Sequence, residues 1–518
     1  MSSTSELLVR GATILDPGGP LRVADIRATG GTITEVGPGL RPGSAQVVEA
    51  EGMVATPGLI NAHTHSGQNL DRGTTPNLPL DLWLMWAVFG KIPITADDRY
   101  TLAMAGALEM LESGCTAVLD HGWVPPWDFE DYSEAIMSAY ADAGMRAGLA
   151  PMIGDLDIFD TMSFAGASQP KPDPLGDPFD PQGLVESMTG FFDRWQGAHS
   201  RLTPMVGPSA PQRCSHELMD GLAGLARERG GGFHTHVLET KTQIAANLER
   251  YGESSVSYLE DLGMLYPGSS LAHCVWMDPD EFATVRRCGA TIVHNPVSNL
   301  RCGSGILPVA DLLEGGVSVA LGADGAASND NQNMFEAMKF ATLMQTLHGS
   351  HLRWPQAPAI WRMCLEGGAA ALGQQLGSLQ PGSAADIVLL DTERHVPVHA
   401  EGLVTSLVLA EHGESVHTVI VDGEPVVSEG RSTRLDEDAM AARSRDLQRR
   451  LHENLPERQA FYDRYVGVLT EIHDYEMAQP APVERLAQIT PAFGESELAA
   501  QESHLGTQRC QFGDEKGE

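Results

Sequence analysis

Short apolar runs alternate with helix-length segments through the middle of the chain, from about residue 57 to residue 377. Leu102–Leu111 and Met334–Leu347 carry apolar residues at helical spacing. Eight runs between such segments have the character of buried strands: Thr56–Asn61, Thr116–Asp120, Arg146–Met152, Leu202–Val206, Gly232–His236, Ser270–Cys274, Thr291–His294 and Val317–Leu321. Strands alternating with helices predict an α/β fold, and eight such units predict a (β/α)8 barrel of the TIM type.

Both flanks of this region resemble a small β domain. Short β-rich runs separated by Gly or Pro fill the first 56 residues, and similar runs return at Ala385–Leu390 and Val416–Val421. The dipeptide Asp422-Gly423 is a hairpin turn signal. We therefore predict one composite β-sandwich domain from residues 1–56 and 378–435, around a barrel formed by residues 57–377.

Three further segments differ in composition from the predicted domains. Residues 436–493 begin with a highly charged, helix-forming stretch, which predicts a helical extension. Residues 494–518 are polar and rich in Gly, Glu and Gln, which predicts a disordered tail. Residues 153–182 contain too many prolines for a helix, and we expect an irregular loop there, either a lid or a surface insertion.

The net charge of the chain restricts the classes of molecule that it is expected to bind. The 69 Asp and Glu residues outnumber the 34 Lys and Arg residues, giving a formal net charge of −35. This acidity argues against nucleic acid and anionic membranes, which require basic patches. The seven cysteines form no C-x-x-C pair, and neither a secretory signal nor a membrane-spanning run is visible. We expect a cytoplasmic protein with reduced thiols that acts on a small molecule.

Polar residues stand near the carboxyl ends of six of the eight predicted strands. They are His63 and His65, Asp120 and His121, His234 and His236, His273, His294, and Asp324. In a (β/α)8 barrel this end is the active-site face. A single histidine at a strand end would more often be a core residue. Several are hard to explain by packing, because each buried imidazole needs hydrogen-bond partners. Six strands with this pattern therefore indicate a functional site.

The spacing of four of these residues indicates a metal site. His63 and His65 are two residues apart on a strand, so their side chains point to the same face. With His236 and Asp324 from other strands they offer three imidazoles and a carboxylate, a set that suits one catalytic divalent ion. Zn²⁺ is favoured, and Fe²⁺ accepts the same ligands. Glu239 follows the third histidine closely enough to shuttle a proton, although an acid there also suits a helix N-terminus.

The same segments resemble the amidohydrolase superfamily. The matching motifs are Pro57–His65, His236-x-x-Glu239, His273, His294–Leu300 and Leu321–Gly325. The order and type of these motifs are similar to the deaminase and chlorohydrolase branch, which contains adenosylhomocysteine, guanine and cytosine deaminases and triazine hydrolases. The resemblance extends over roughly residues 5–430.

This resemblance implies roles for the site residues. It implies one metal ion held by His63, His65, His236 and Asp324, since no lysine follows the fourth predicted strand to bridge a second ion. It also implies that Asp324 orients the attacking water. Family members are often dimers or larger, so a homo-oligomer is consistent with the resemblance.

The remaining implied roles belong to proton transfer and substrate contact. The resemblance implies that Glu239 transfers protons and that His273 hydrogen-bonds the hydroxide or the substrate. Gln68, in the pattern His63-x-His65-x-x-Gln68, resembles a ring-contacting residue, with loop ordering as the alternative. His121 and His294 are placed either to touch substrate or to support the ligands. The nearby aromatic residues, Trp83, Trp86 and Phe89, either wall a pocket or pack in the core.

Together these observations predict a hydrolase acting on a carbon–nitrogen bond that is not a peptide bond. The expected reaction is hydrolytic deamination of an amino-substituted purine, pyrimidine, pterin or triazine by metal-bound hydroxide. Two alternatives use the same site: hydrolysis of an amide, urea or carbamate, and displacement of halide or thioalkyl from a triazine. A barrel that only binds ligand is the third reading.

Overall fold

The computed structural model describes residues 5–89, 92–347, 349–392 and 400–487. Eight parallel strands follow each other in chain order, each hydrogen-bonded to the next. These barrel strands are Leu59–Thr64, Cys115–Asp120, Arg146–Leu149, Leu202–Val206, Gly232–Val237, Ser269–His273, Thr291–His294 and Ser318–Leu321. All eight coincide with predicted strands to within a few residues. The predicted (β/α)8 barrel is confirmed.

The eighth strand meets the first through a few hydrogen bonds just beyond the regular ladder. The backbone N–H of Asp324 donates to the carbonyl of His63 at 2.9 Å. The Asn61 side-chain oxygen accepts from the N–H of Ala323 at 2.9 Å, and the Thr64 hydroxyl donates to the carbonyl of Asp324 at 3.1 Å. The barrel is therefore nearly closed, and the seam is joined at its carboxyl end.

The first predicted strand, Thr56–Asn61, is divided between two sheets. Val54–Pro57 belongs to the flanking sheet and Leu59–Thr64 to the barrel. Gly58 stands between them, and a β-carbon there would clash with the Thr116 side chain. Glycine lets the chain pass from one sheet to the other in close contact with the second barrel strand.

Helices surround the barrel and connect its strands. Leu102–Leu111 lies inside the helix Ala96–Glu112, and Met334–Leu347 forms the helix Met334–Leu343 followed by a 3₁₀ turn. The other α-helices of this part are Leu80–Leu84, Phe129–Ala143, Pro181–Trp195, His216–Arg229, Thr242–Tyr251, Ser255–Asp261, Pro279–Cys288, Pro296–Arg301, Val309–Glu314, Ala326–Asn329, Ala357–Arg362, Gly368–Leu372 and Leu403–Leu409.

A nine-stranded mixed sheet is built from both flanks, as predicted. Its strands are Glu6–Ile14, Arg22–Thr29, Thr32–Gly37, Gln46–Glu49, Val54–Pro57, Ile387–Leu390, Val416–Val421, Glu424–Ser428 and Arg431–Ser432. Glu6–Ile14 unites two predicted runs across a bulge at Gly11, whose φ is +77°. Asp422 and Gly423 both have positive φ and form the predicted hairpin turn.

Two helices, Glu437–Glu453 and Leu455–Ala478, follow the mixed sheet. Apolar residues of the second helix share a core cluster with the segment 80–88 and with the irregular loop after the third barrel strand. The predicted tail of residues 494–518, the preceding residues 488–493 and Cys510 lie outside the described residues. All cysteines in the described part are free, and no described helix combines the length and apolarity needed to cross a bilayer.

Candidate metal and substrate site

The side chains predicted to hold a metal ion converge at the carboxyl end of the barrel. Oδ1 of Asp324 lies 3.5 Å from Nε2 of His63 and 3.4 Å from Nε2 of His65. Nε2 of His236 lies 3.2 Å from Nε2 of His65. Three imidazoles and one carboxylate from the first, fifth and eighth strands therefore lie next to one another, and His63, His65 and Asp324 are close enough together to hold one ion.

Hydrogen bonds on the far side of two rings determine which nitrogens face this point. Nδ1 of His65 donates to the carbonyl of His121 at 2.7 Å, and Nδ1 of His236 donates to the carbonyl of Ser209 at 2.5 Å. A carbonyl can only accept, so in each neutral ring the hydrogen is on Nδ1 and Nε2 is a bare lone pair. Burial also holds the pKa of His236 well below its usual value. Two opposed lone pairs are the donor arrangement that a divalent cation fits.

His63 is oriented by a further histidine, His234. Its Nδ1 lies 2.8 Å from Nε2 of His234, whose own Nδ1 lies 2.7 Å from the Ser270 hydroxyl. Nε2 of His63 is buried and has no hydrogen-bond partner within the described residues. Burial lowers the pKa of His63 to about 4, so this ring is also neutral and available as a ligand.

Asp324 is held in an unusual backbone conformation. Its φ is +63°, in the left-handed region, and the backbone N–H of Gly325 donates to its Oδ1 at 2.6 Å. Burial opposes ionisation, but the surrounding imidazoles, with His63 first among them, hold the pKa of Asp324 well below its usual value. His273 and Leu238, at the ends of the sixth and fifth strands, also have positive φ. Such backbone conformations concentrate at functional sites because the surrounding structure must impose them.

Glu239 and His273 form a second pair beside the metal-ligand set. Nδ1 of His273 donates to Oδ1 of Asn299 at 2.8 Å, which turns its Nε2 towards the site. This Nε2 lies 3.6 Å from Oε2 of Glu239 and 3.9 Å from Oδ2 of Asp324. Glu239 is 4% exposed, and burial raises the pKa of its carboxyl group. A carboxyl group with a raised pKa next to an imidazole is suited to accept and return a proton near neutral pH.

A cavity of about 490 Å³ opens onto these groups and is called the metal cavity below. Gln68 lines it, and its Oε1 accepts from the N–H of Ala327 at 3.3 Å. Trp83 also lines it, with its indole N–H donating to the carbonyl of Ala327 at 3.2 Å. The predicted site residues on its wall are His65, Gln68, His236, Glu239, His273 and Asp324.

Two predicted substrate contacts lie behind this wall. His121 is fully buried and its ring stacks on that of His236, with centroids 4.8 Å apart. His294 is fully buried, and neither ring nitrogen has a partner within the described residues. Trp86 packs instead against Tyr462 of the last helix. From these positions His121 and His294 can support the site residues but do not line the cavity. Gln68, in contrast, lines the cavity.

Three residues of the site have no individual role assigned from the sequence. His234 is among the polar residues at the strand ends, but its contact with His63 was not predicted. Asn299 lies in the His294–Leu300 motif, and the structure places it on His273. Arg213 lines the cavity and had no sequence signal, because it lies in a short polar turn far from any motif.

Comparison with known sequences places this site in a described family. Residues 54–426 match the amidohydrolase family. The chain is 33% identical over 440 residues to 5′-deoxyadenosine deaminase of Methanosarcina mazei, covering 84% of this chain and 95% of that protein. It is 34% identical over 463 residues to 5-methylthioadenosine/S-adenosylhomocysteine deaminase of Pelotomaculum thermopropionicum, covering 86% and 99%.

Solved structures share the fold. A zinc-bound adenosine deaminase from Xanthomonas campestris superposes with a TM-score of 0.76 at 23% identity, covering 87% of this chain and 99% of the other. A zinc complex of atrazine chlorohydrolase from Arthrobacter aurescens superposes with a TM-score of 0.74 at 25% identity, covering 85% and 100%.

Proposed function

The chain belongs to the amidohydrolase family, and we propose that it is a metal-dependent deaminase acting on an adenine nucleoside altered at its 5′ position. It is a hydrolase of carbon–nitrogen bonds other than peptide bonds. The observation that carries the substrate proposal is the near full-length identity with two deaminases of such nucleosides. The site supports the proposal, because the buried carboxyl group of Glu239 faces the same cavity as His65, His236 and Asp324.

His63, His65, His236 and Asp324 are the residues that would hold the ion, and we assign it as Zn²⁺. Neutral imidazoles and one carboxylate are ligands that zinc accepts, and the matched deaminase and chlorohydrolase structures contain zinc. When bound, such an ion lowers the pKa of a water molecule and makes it a nucleophile near neutral pH. Free cysteines throughout the described part fit a cytoplasmic location.

Glu239 carries the proton in this proposal. Water adds to the ring carbon that bears the amino group, and Glu239 accepts a proton from it and passes it to the adjacent ring nitrogen. A second proton moves to the amino group by the same route as the carbon–nitrogen bond breaks. Ammonia leaves, and a carbonyl group remains on the ring. Burial raises the pKa of Glu239, which suits this exchange because it makes the carboxylate a better proton acceptor.

His273 and Asp324 position the reacting groups. With its Nδ1 hydrogen on Asn299, the Nε2 of His273 is free to accept a hydrogen from the water or from Glu239. Asp324 reaches both the ligand set and His273, so its carboxylate can orient the water. Gln68 and Trp83 on the cavity wall would contact the ring.

The experiment is a substrate panel with ammonia as the readout. Zinc-loaded protein would be assayed with adenosine, 5′-deoxyadenosine, 5′-methylthioadenosine, S-adenosylhomocysteine, guanine, cytosine and atrazine. We expect ammonia from the 5′-altered adenosines at the highest kcat/KM. Ammonia from guanine or cytosine alone would overturn the nucleoside proposal.

A second candidate is displacement of a leaving group from a triazine. The similarity to atrazine chlorohydrolase favours it, as does Gln68 on the cavity wall. Chloride release from atrazine, without deamination of any nucleoside, would establish this candidate in place of the first.

A further inference from the structure

A second pocket lies beside the metal cavity and is called the helix compartment below. Arg213 and Gln243 line both spaces, so these two side chains stand between them. A substituent on a ring held in the metal cavity would enter the helix compartment by passing these side chains.

The last helix, Leu455–Ala478, forms part of the wall of this compartment through Ile472 and Glu476. It is anchored at one end by Arg458, whose Nη1 lies 3.3 Å from Oδ1 of Asp71, with both side chains 1% exposed. Near its other end, Nζ of Lys241 donates to the carbonyl of Met477 at 2.7 Å. The wall is thus fixed to the barrel at two points.

This helix lies beyond the part of the chain that matches the family, which ends at residue 426. The two alignments cover 95% and 99% of the deaminases but only 84% and 86% of this chain. The family match therefore does not account for the wall formed by Ile472 and Glu476.

Three charged side chains line the compartment without close ionic partners. Within the described residues, no carboxylate lies within 4 Å of Arg213, which has one hydrogen bond, at 3.4 Å to the Ser209 hydroxyl. No cationic nitrogen of the described part lies within 4 Å of Glu476, and Asp81 meets only Nδ1 of His473, at 3.9 Å. Asp81 and Glu476 are 7% and 8% exposed. Charges this buried are costly unless they are paired.

We propose that the helix compartment binds a zwitterionic α-amino acid group on the substrate. Arg213 pairs with the carboxylate, because a guanidinium forms two parallel hydrogen bonds with such a group. Asp81 and Glu476 take the ammonium group. One cation and two anions match one carboxylate and one ammonium, whereas a bare methyl substituent offers none of the three a charged partner. The proposal rests on the proposed function and specifies the 5′ substituent of the nucleoside.

The test compares two nucleosides that differ in this group. The readout is the kcat/KM for S-adenosylhomocysteine divided by that for 5′-methylthioadenosine. We expect the wild-type ratio to exceed one, and Arg213→Gln and Glu476→Gln each to lower it about tenfold or more, because a buried charge loses its partner. Asp474→Asn removes the same charge from an exposed position of the same helix and should leave the ratio unchanged.

The outcomes separate this proposal from the proposed function. Deamination of both nucleosides at a ratio that neither substitution changes would overturn the compartment and leave the deaminase function standing. Two negative results together would overturn both the compartment and the deaminase function. The wild-type protein would deaminate neither nucleoside, and calorimetry would detect no binding of either nucleoside to zinc-loaded Glu239→Gln protein. If Arg213→Gln melts early by circular dichroism, the Glu476→Gln and Asp474→Asn pair decides the question alone.

Discussion

The Nε2 atoms of His65 and His236 lie 3.2 Å apart, and each ring uses its Nδ1 hydrogen on a backbone carbonyl. In the neutral rings nothing but two lone pairs stands between these atoms. A hydrogen bond between them would require a proton on one of the two rings, and burial lowers the pKa of His236. A divalent cation fits two opposed lone pairs, and this gives the first prediction.

Removing the metal should destabilise the protein. Chelation leaves the opposed lone pairs uncompensated, and a ligand present at about 100 times its Kd adds about 2.7 kcal/mol to the stability. We expect the Tm to fall by several degrees on chelation and to return with zinc. Scanning calorimetry with and without chelator measures this. Recovery with magnesium, which prefers oxygen ligands, would contradict the assignment.

Glu239→Gln should abolish turnover while leaving the metal in place. The amide keeps the size of the side chain but cannot exchange a proton, and general acid–base groups contribute about 10²–10⁴-fold. We expect kcat to fall by about 10³ with an unchanged metal-to-protein ratio by elemental analysis. Full activity in the zinc-loaded variant would show that Glu239 is not the proton carrier.

His234→Phe should weaken metal binding more than it slows chemistry. Nε2 of His234 lies 2.8 Å from Nδ1 of His63, a predicted ligand, and such supporting hydrogen bonds affect metal affinity about 10–100-fold. Competition with a chromogenic chelator would give the zinc Kd, and kcat would be measured at zinc saturation. His452→Gln, at an exposed position, is the matched control. A loss of kcat with an unchanged zinc Kd would contradict the positioning role.

Replacing either partner of the Arg458–Asp71 ion pair should lower the free energy of unfolding. Both side chains are 1% exposed, so Arg458→Met and Asp71→Asn each remove one charge of a buried ion pair, at a cost of about 3–5 kcal/mol. Urea unfolding of both single variants and of the double variant would give the free energies. We expect the double variant to lose less than the sum of the two single losses. Additive losses would mean that the pair does not couple the last helix to the barrel.

The barrel, and the convergence of polar residues at its carboxyl end, could be predicted from sequence because both are encoded locally. Apolar runs mark the strands, and the residues at each strand end face one rim whatever the details of packing. His63, His65, His236 and Asp324 as metal ligands, and Glu239 as the proton carrier, stay predictions. The split at Gly58 was missed, because the need for glycine comes from Thr116 on another strand.

The helix compartment could not be predicted, since it is formed by tertiary packing alone. Arg213 lies in a polar turn, and Glu476 lies among other charged residues of a long helix. Nothing near either residue in the sequence indicates that they line one cavity. The site also includes Asn299, whose contact with His273 depends on how the helix after the seventh strand is placed.

The seam between the first and eighth strands has a consequence for biosynthesis. His63 and His65 emerge early from the ribosome, whereas Asp324, which bonds to the first strand across 260 positions of sequence, emerges late. A nascent chain therefore holds an incomplete set of ligands until nearly the whole barrel has been made. In the proposed metal site, the fourth ligand therefore arrives only with the last strand of the barrel.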